Sequence, residues 1–369
     1  MDSHIKHPTT SAILLQQFDM AIGRYAAFCS TTTDLIKRLL TSKKIEVHSI
    51  SGRCKDRASF ERKITKKSHY RNLPDITDLA GIRIITHYSD DVDVIAKLIE
   101  KEFEIDRENS IDKRIILDPD RFGYLSLHYV ASLKSTRSKL QEYSDYDGLK
   151  VEIQIRSILQ HTWAEIEHDI GYKNEFEVPG PIKRKFSRLS GLLELADQEF
   201  ISIRKEIDRY SKALDKQIKI NTKNIGLDAL SYEKFVTHNP LSLQLDKKVC
   251  ELGNYETSAS LNESRIIKRL AGFDITTIEK LSSLLKKHEP SILRMTTALR
   301  ALPDEDPDQE SEKPSPVVPG ISSFYLLHVL AAMKEPEDIE TYLKENDWLD
   351  APGGLDFLDI LVNFFKPLD

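Results

Sequence analysis

Thr77-Asp78-Leu79-Ala80-Gly81-Ile82-Arg83-Ile84-Ile85-Thr86-His87-Tyr88 sets an acidic residue directly before a run rich in isoleucine and threonine. Branched side chains favour extended backbone, and Pro74 marks a turn just upstream, so Leu79–Tyr88 is predicted to be a buried strand. Working outward, Asp91–Lys101 has helical spacing, while Phe103–Ile105, Tyr124–Leu133 and Leu149–Ile155 read as further strands. On the N-terminal side, Leu14, Phe18, Ile22, Tyr25 and Leu35 mark an amphipathic helix over 11–42. Strands interleaved with helices predict an α+β class, with a mixed β-sheet flanked by helices.

Beyond Ser157 the period changes. Leu159, Trp163, Ile166 and Ile170 step by one helical turn and so form one face of a helix. Pro179-Gly180-Pro181 interrupts it. Ile182, Phe186, Leu189, Leu193, Ala196, Phe200, Ile203, Ile207 and Tyr210 then keep a heptad rhythm, which predicts one long helix packed on the core or on a partner helix. Residues 225–300 read as helical but less regular. Leu302–Gly320 contains five prolines and six acidic residues, the composition of an extended linker. Four segments are therefore expected: residues 1–178 with the sheet, a helical extension over 179–301, the linker 302–320 and a small helical module over 321–369. The C-terminal region is expected to be mostly helical.

Composition bounds the function. The 53 basic and 59 acidic residues leave a net charge of -6, which argues against wholesale coating of nucleic acid. No run approaches the length of a membrane span, and the N-terminus lacks a basic region joined to a long apolar core. Cys29, Cys54 and Cys250 are far apart in sequence, so a reducing, cytoplasmic location is expected.

Three features bear on chemistry. Lys43–Arg71 holds ten Lys/Arg against three Asp/Glu. Within it Arg53, Lys55 and Arg57 alternate, so an extended segment would point all three to one side, where they could neutralise a polyphosphate with Lys63 and Lys67; a solvated surface explains the same run. Asp78 before a strand and Glu152 inside one (Leu149–Ile155) could hold Mg²⁺ between adjacent strands, because Mg²⁺ takes carboxylate and phosphate oxygens. Salt bridges to Arg83 or Arg156 account for these carboxylates equally well. Gly123 permits a sharp turn before Tyr124, which could stack on a purine, and His128 would share its face. On the following helix, His161, Glu165 and His168 share a face, but their spacing is not that of a zinc protease; Gln160–Glu167 is expected to line or brace the cleft.

In order, these pieces resemble the synthetase domain of the RelA/SpoT alarmone family. The resemblance rests on Arg53, Lys55 and Ser59; on Thr77–Arg83; on Gly123–His128; on Val151–Arg156; and on Trp163–His168. It implies a nucleotidyltransferase-like fold and an ATP-dependent pyrophosphokinase that moves the β,γ-diphosphate of ATP to the 3′-hydroxyl of GDP or GTP. By that match Arg53, Lys55, Ser59 and Lys63 hold ATP, and Asp78 and Glu152 are catalytic and serve Mg²⁺. Tyr124 stacks on the acceptor base, while Lys113, Arg121, His128 and Gln154 line the acceptor side. Phe122 and Leu125 stand where the family commonly has Asn and Arg or Gln, and Asp120-Arg121 also departs from its pattern. These substitutions border the pocket that chooses the acceptor.

Two other readings follow from the same residues. A toxin of this fold would pyrophosphorylate the 3′ end of tRNA, with the C-terminal region as an inhibitor or sensor of a phage component; Lys183-Arg184-Lys185 and Arg188 would contribute a basic surface. A catalytically retired domain would only bind nucleotide. The long helix further predicts homo-oligomers, and the C-terminal region a protein effector.

Overall fold

The computed structural model describes residues 10–67, 69–112, 126–172, 179–220, 222–257, 263–301, 314–351 and 353–366. They group into two compact units, Met1–Lys205 and Glu206–Asp369.

The first unit runs α1 (Thr10–Ser42), β1 (Ser49–Cys54), α2 (Arg57–Lys66), β2 (Ala80–Thr86), α3 (Asp91–Glu102), β3 (Phe103–Asp112), β4 (Leu127–Leu133), α4 (Ser135–Ser138), β5 (Val151–Ser157) and α5 (Ile158–Tyr172). It also takes the first part of α6 (Gly180–Ile220). The sheet order is β1-β2-β5-β4-β3. Only β2 and β5 pair in parallel, so the sheet is mixed, as expected. Helix α1 lies against β1 and β2, α3 against β5 and β3, and α5 against β5 and β2. Phe28 and Ile36 of α1 meet Ile82, Ile84, Ile153 and Ile155 in one buried core.

Strand length follows burial. β2 and β5 share the same alternation, with Ala80, Ile82, Val151 and Ile153 buried and Gly81, Arg83, Glu152 and Gln154 half-buried on the other face. β3 extends past the expected Phe103–Ile105 into a polar sequence, with a register break between Asp106 and Ile111. An edge strand needs only one paired side, so polar residues can continue it. There Asp106 accepts from Asn109, and the Ser110 hydroxyl donates to the Asp106 carbonyl at 2.6 Å.

The heptad residues of α6 divide. Phe186 packs edge-on against Trp163, and buried Asp197 accepts from Ser157 Oγ at 2.9 Å. Arg204 forks onto Asp90 and Asp91. Ile182, Leu189, Phe200 and Ile203 stay exposed.

The second unit comprises the rest of α6, then α7 (Ala229–His238), α8 (Pro240–Gly253), β6 (Tyr255–Thr257), α9 (Glu263–Gly272), α10 (Ile278–Lys287), α11 (Glu289–Arg300), β7 (Ser315–Val317), α12 (Ile321–Ala331), α13 (Pro336–Glu345) and α14 (Gly354–Asn363). Its core joins Phe235, Val249, Leu281 and Met295 to Leu326, Leu327, Leu343 and Leu361. Residues expected in two separate helical segments thus share one interior. Of the stretch expected as a linker, 302–313 lies outside the described residues, and Ser315–Val317 pairs in parallel with β6. Gly320 then turns into α12 with φ +86°, in a space where a Cβ would meet the Tyr232 hydroxyl at 2.4 Å. Among the described residues, no helix is long and apolar enough to cross a membrane.

Candidate active site

The alternation of the three central strands builds one polar face. Gly81 and Arg83 of β2 stand beside Glu152 and Gln154 of β5, and Gln154 faces His128 of β4. On the other side of β2, Arg53 of β1 is paired with Gly81. Arg53, Lys55, Ser59, Asp78, Glu152 and Gln154 accordingly line one cavity of about 210 Å³.

The turn from β1 into α2 sets its basic flank. Asp56 caps α2 by accepting from the Ser59 N–H at 2.8 Å, which fixes Ser59 in the first turn and Lys63 one turn later. Lys55 and Lys63 both reach Asp78, at 3.0 and 2.8 Å. Arg57 departs from the expectation of a single basic row. The strand ends at Cys54 and a helix begins at Arg57, so period-two alternation stops there. Arg57 turns instead to Asp19 at 3.0 Å.

The second carboxylate has a different partner. Glu152 Oε1 lies 2.9 Å from His128 Nδ1, and the opposite ring nitrogen, Nε2, lies 2.6 Å from Ser126 Oγ. Gln154 donates to the other Glu152 oxygen at 3.2 Å. Arg83 and Arg156, the expected rivals for the carboxylates, go to Glu165 of α5 at 3.1 and 3.7 Å. His161 joins the same carboxylate at 3.6 Å. Glu165 therefore braces two arginines beside the cavity.

Charges in this cleft are tuned by their neighbours. Burial pushes the Asp78 carboxyl up, but Lys63 and Lys55 outweigh it and hold the group below its ordinary value. Burial likewise opposes ionisation of Glu152; His128 overcomes it, while the negative charge of Asp78 pulls the other way, and the net shift is downward. Burial and then the neighbouring Arg83 lower the Arg156 guanidinium to about 10. The same two causes, burial first and then Arg156 and Arg83, lower His161.

Two ionised carboxylates that feel each other across one cavity suit a divalent cation, which would relieve their repulsion. Among the described residues, no group of three or more His, Cys, Asp or Glu could hold a metal. Such an ion would take its remaining ligands from water and substrate oxygens, as Mg²⁺ prefers. Lys113, Arg121 and Tyr124 lie outside the described residues, as do Phe122 and Leu125. Reading the residues alone missed Arg83, Arg156 and Glu165 as one cluster. The signal was present in the alternation of Arg83 with Gly81 and in the one-turn spacing of His161 and Glu165.

Residues 52–177 match the family model described as the region found in RelA / SpoT proteins. This segment is a RelA/SpoT domain. Its relatives include GTP pyrophosphokinase YjbM of Bacillus subtilis, 29% identical over 177 residues, which span 47% of this chain and 79% of that protein. GTP pyrophosphokinase YwaC of the same organism is 32% identical over 133 residues, 36% of this chain and 60% of that protein. Among solved structures, small alarmone synthetase 1 from Bacillus subtilis bound to AMPCPP is 25% identical, covers 53% of this chain and 99% of that one, and gives a TM-score of 0.42. The same synthetase bound to its product pppGpp is 27% identical, covers 52% and 98%, and gives a TM-score of 0.44. The RelA/SpoT domain falls inside the first compact unit and contains every residue of the cavity described above except Ser51.

Proposed function

We propose that the RelA/SpoT domain is an ATP-dependent pyrophosphokinase that transfers the β,γ-diphosphate of ATP to the 3′-hydroxyl of GDP or GTP, giving (p)ppGpp and AMP. One observation carries the reading: Asp78 and Glu152 open onto a single cavity whose other flank is Arg53, Lys55, Ser59 and, through Asp78, Lys63. Transfer of a charged phosphoryl group depends mainly on positioning and charge neutralisation, and this arrangement offers both. The GTP pyrophosphokinases among its relatives support the same reaction class.

Arg53 and Lys55 leave one edge of the sheet on the side where a triphosphate would lie. Lys55 and Lys63 are held at Asp78, beside the cavity that a triphosphate would enter. Asp78 and Glu152 would hold Mg²⁺, which when bound neutralises phosphate charge and orients the diphosphate for in-line attack. Glu152, ionised and oriented by His128 and Gln154, receives the proton of the attacking hydroxyl. His128 and Gln154 sit on the far strands and border the acceptor, with Lys113, Arg121 and Tyr124 assigned to the same side. Self-association through the exposed apolar positions of α6 belongs to the same proposal, because a heptad stripe matches a second copy of itself.

The test is incubation of the purified protein with γ-labelled ATP, Mg²⁺ and GDP, GTP or deacylated tRNA. Label in the guanosine nucleotide is expected. Label in tRNA alone would move the acceptor to the tRNA 3′ end, the reading to which Arg184, Lys185 and Arg188 contribute a basic concavity. Failure to label any acceptor would overturn the proposal.

A further inference from the structure

Directly behind the basic flank of the cavity, two cysteines from different elements meet. Cys29 belongs to α1 and Cys54 ends β1. Strand alternation sets Gly52 and Cys54 on one face of β1 and Arg53 on the other, and both Arg53 and Cys54 border the cavity and the hollow beside α1. Cys29 Sγ fits so closely against this strand that a Cβ on Gly52 would meet it at 3.0 Å. It lies 3.7 Å from the Arg53 carbonyl and 3.6 Å from that of Gly81, its ladder partner. Cys54 is the neighbouring side chain that acts most strongly on the Cys29 thiol. Both also line a hollow of about 290 Å³ between α1 and β1, bordered by Ala26, Ser30 and Thr33. Cys29 is otherwise buried, so this hollow is its route to small reagents.

We propose that Cys29 and Cys54 are an oxidisable pair, and that the disulfide they form with hydrogen peroxide weakens ATP binding by displacing the Arg53–Lys55 segment. The second half rests on the reading of the cavity as a nucleotide site. The neighbouring Cys54 side chain draws the Cys29 thiol below its ordinary value against the opposing effect of burial, while Cys54 is raised. Cys29 is thus the attacking sulfur. Its thiolate attacks one peroxide oxygen, the O–O bond breaks, and the departing hydroxide takes a proton and leaves as water. Cys54 sulfur then attacks the Cys29 sulfenic acid; the S–S bond forms, the S–O bond breaks, and the Cys54 proton leaves with the second water. Two electrons pass from the sulfurs to the peroxide, and two waters result.

Geometry links the bond to the site. A disulfide closes to about 2.05 Å between sulfurs, well inside the separation of two unbonded thiols. Cys54 sits between Arg53 and Lys55, and the Lys55 N–H donates to the Leu79 carbonyl at 2.9 Å, one residue from Asp78. Drawing Cys54 toward α1 therefore pulls on the segment that holds Lys55 against Asp78. A misplacement on the order of 1 Å in such a clamp costs up to about a hundredfold.

The full chain is treated with hydrogen peroxide, alkylated and digested, and its affinity for a non-hydrolysable ATP analogue is measured before and after. A peptide joining Cys29 to Cys54 is expected, with affinity lowered roughly tenfold or more and recovered on adding dithiothreitol. Cys29→Ser is expected to bind nucleotide as the native chain does and to keep that affinity through peroxide; Cys29→Ala repeats the test should serine perturb packing. Free, alkylatable Cys29 and Cys54 after peroxide would overturn the oxidation, and so would a bridge to Cys250. A mapped bridge with unchanged affinity would overturn the control of binding. A chain that never binds the analogue, yet forms the bridge, would refute the nucleotide reading while leaving the oxidation in place.

Discussion

Both units bury ionisable groups, but they use them differently. In the sheet unit, Asp78, Glu152 and Arg156 converge on a cleft, each matched to a partner on another element: Lys55 and Lys63, His128, and Glu165. In the helical unit, the buried Asp246 and the fully buried His328 serve the fold. Asp246 accepts from the Gly320 and Ser322 N–H groups and so caps α12. His328 contacts the Tyr342 hydroxyl within a cluster of Phe324, Trp348 and Phe357. One cavity of the second unit, about 410 Å³, is walled by Ile266, Val317, Phe324 and Trp348 with Arg265 and Arg269. Burial of charge marks a candidate catalytic site where the partners are ionisable side chains of other elements beside open space. Where they are backbone N–H groups or aromatic rings, it marks architecture.

The largest effect should break the first unit's chemistry alone. Glu152→Gln and Asp78→Asn are each expected to lower pyrophosphate transfer roughly a thousandfold or more while the thermal transition persists, because developing phosphate charge loses its compensation. Transfer at native rates in either variant would detach these carboxylates from the reaction.

A smaller change separates bracing from chemistry. Glu165→Ala leaves Arg83 and Arg156 side by side without their shared carboxylate, so KM for ATP is expected to rise roughly fivefold with kcat little changed. A fall in kcat at constant KM would instead put Glu165 in the reaction.

Acid should expose the second unit's different use of charge. Burial, and then the charge of Arg269, lower His328 to about 3. The unfolded chain binds the proton near the ordinary value of about 6.5, so the contribution of His328 is complete above that pH. It is lost by about 1.4 kcal/mol per pH unit as pH falls toward 3. Thermal melts of the native chain and His328→Phe should diverge below pH 6.5, with the variant less sensitive to acid. Parallel curves would show that His328 is protonated without penalty.

The weakest expected effect concerns the surface of α6. Leu189→Glu with Phe200→Glu is expected to change stability by no more than about 0.5 kcal/mol per site, since both side chains are exposed. The same pair should reduce the mass in sedimentation if copies associate there. An unchanged mass would confine α6 to its own chain.

Much of the sheet could be read from residues because burial on one or both faces leaves a periodic trace. The strand around Ile82–Ile85 and the carboxylates at its edge and in its neighbour stood out for that reason. Arg57 misled, because alternation in a sequence does not announce where a capping aspartate will start a helix. Glu165 could be placed on a face but not matched to Arg83 and Arg156, which come from strands β2 and β5. The ends of β3 were hidden by its polar edge.

By itself the sequence determined the local facts. These are the strand beginning after Asp78, the helical rhythm from Leu159 onward, the long helix beyond Pro181 and the ordered motifs of a RelA/SpoT domain. Periodicity and turn chemistry act over a few residues, so they survive without any knowledge of the fold. Tertiary structure alone decided that Lys55 and Lys63 hold Asp78, that His128 holds Glu152, and that Cys29 meets Cys54 behind Arg53. Strand order and the seating of α1 on β1 bring those pairs together across 15 to 25 positions. Such meetings depend on which faces bury together, and no spacing along the chain encodes them.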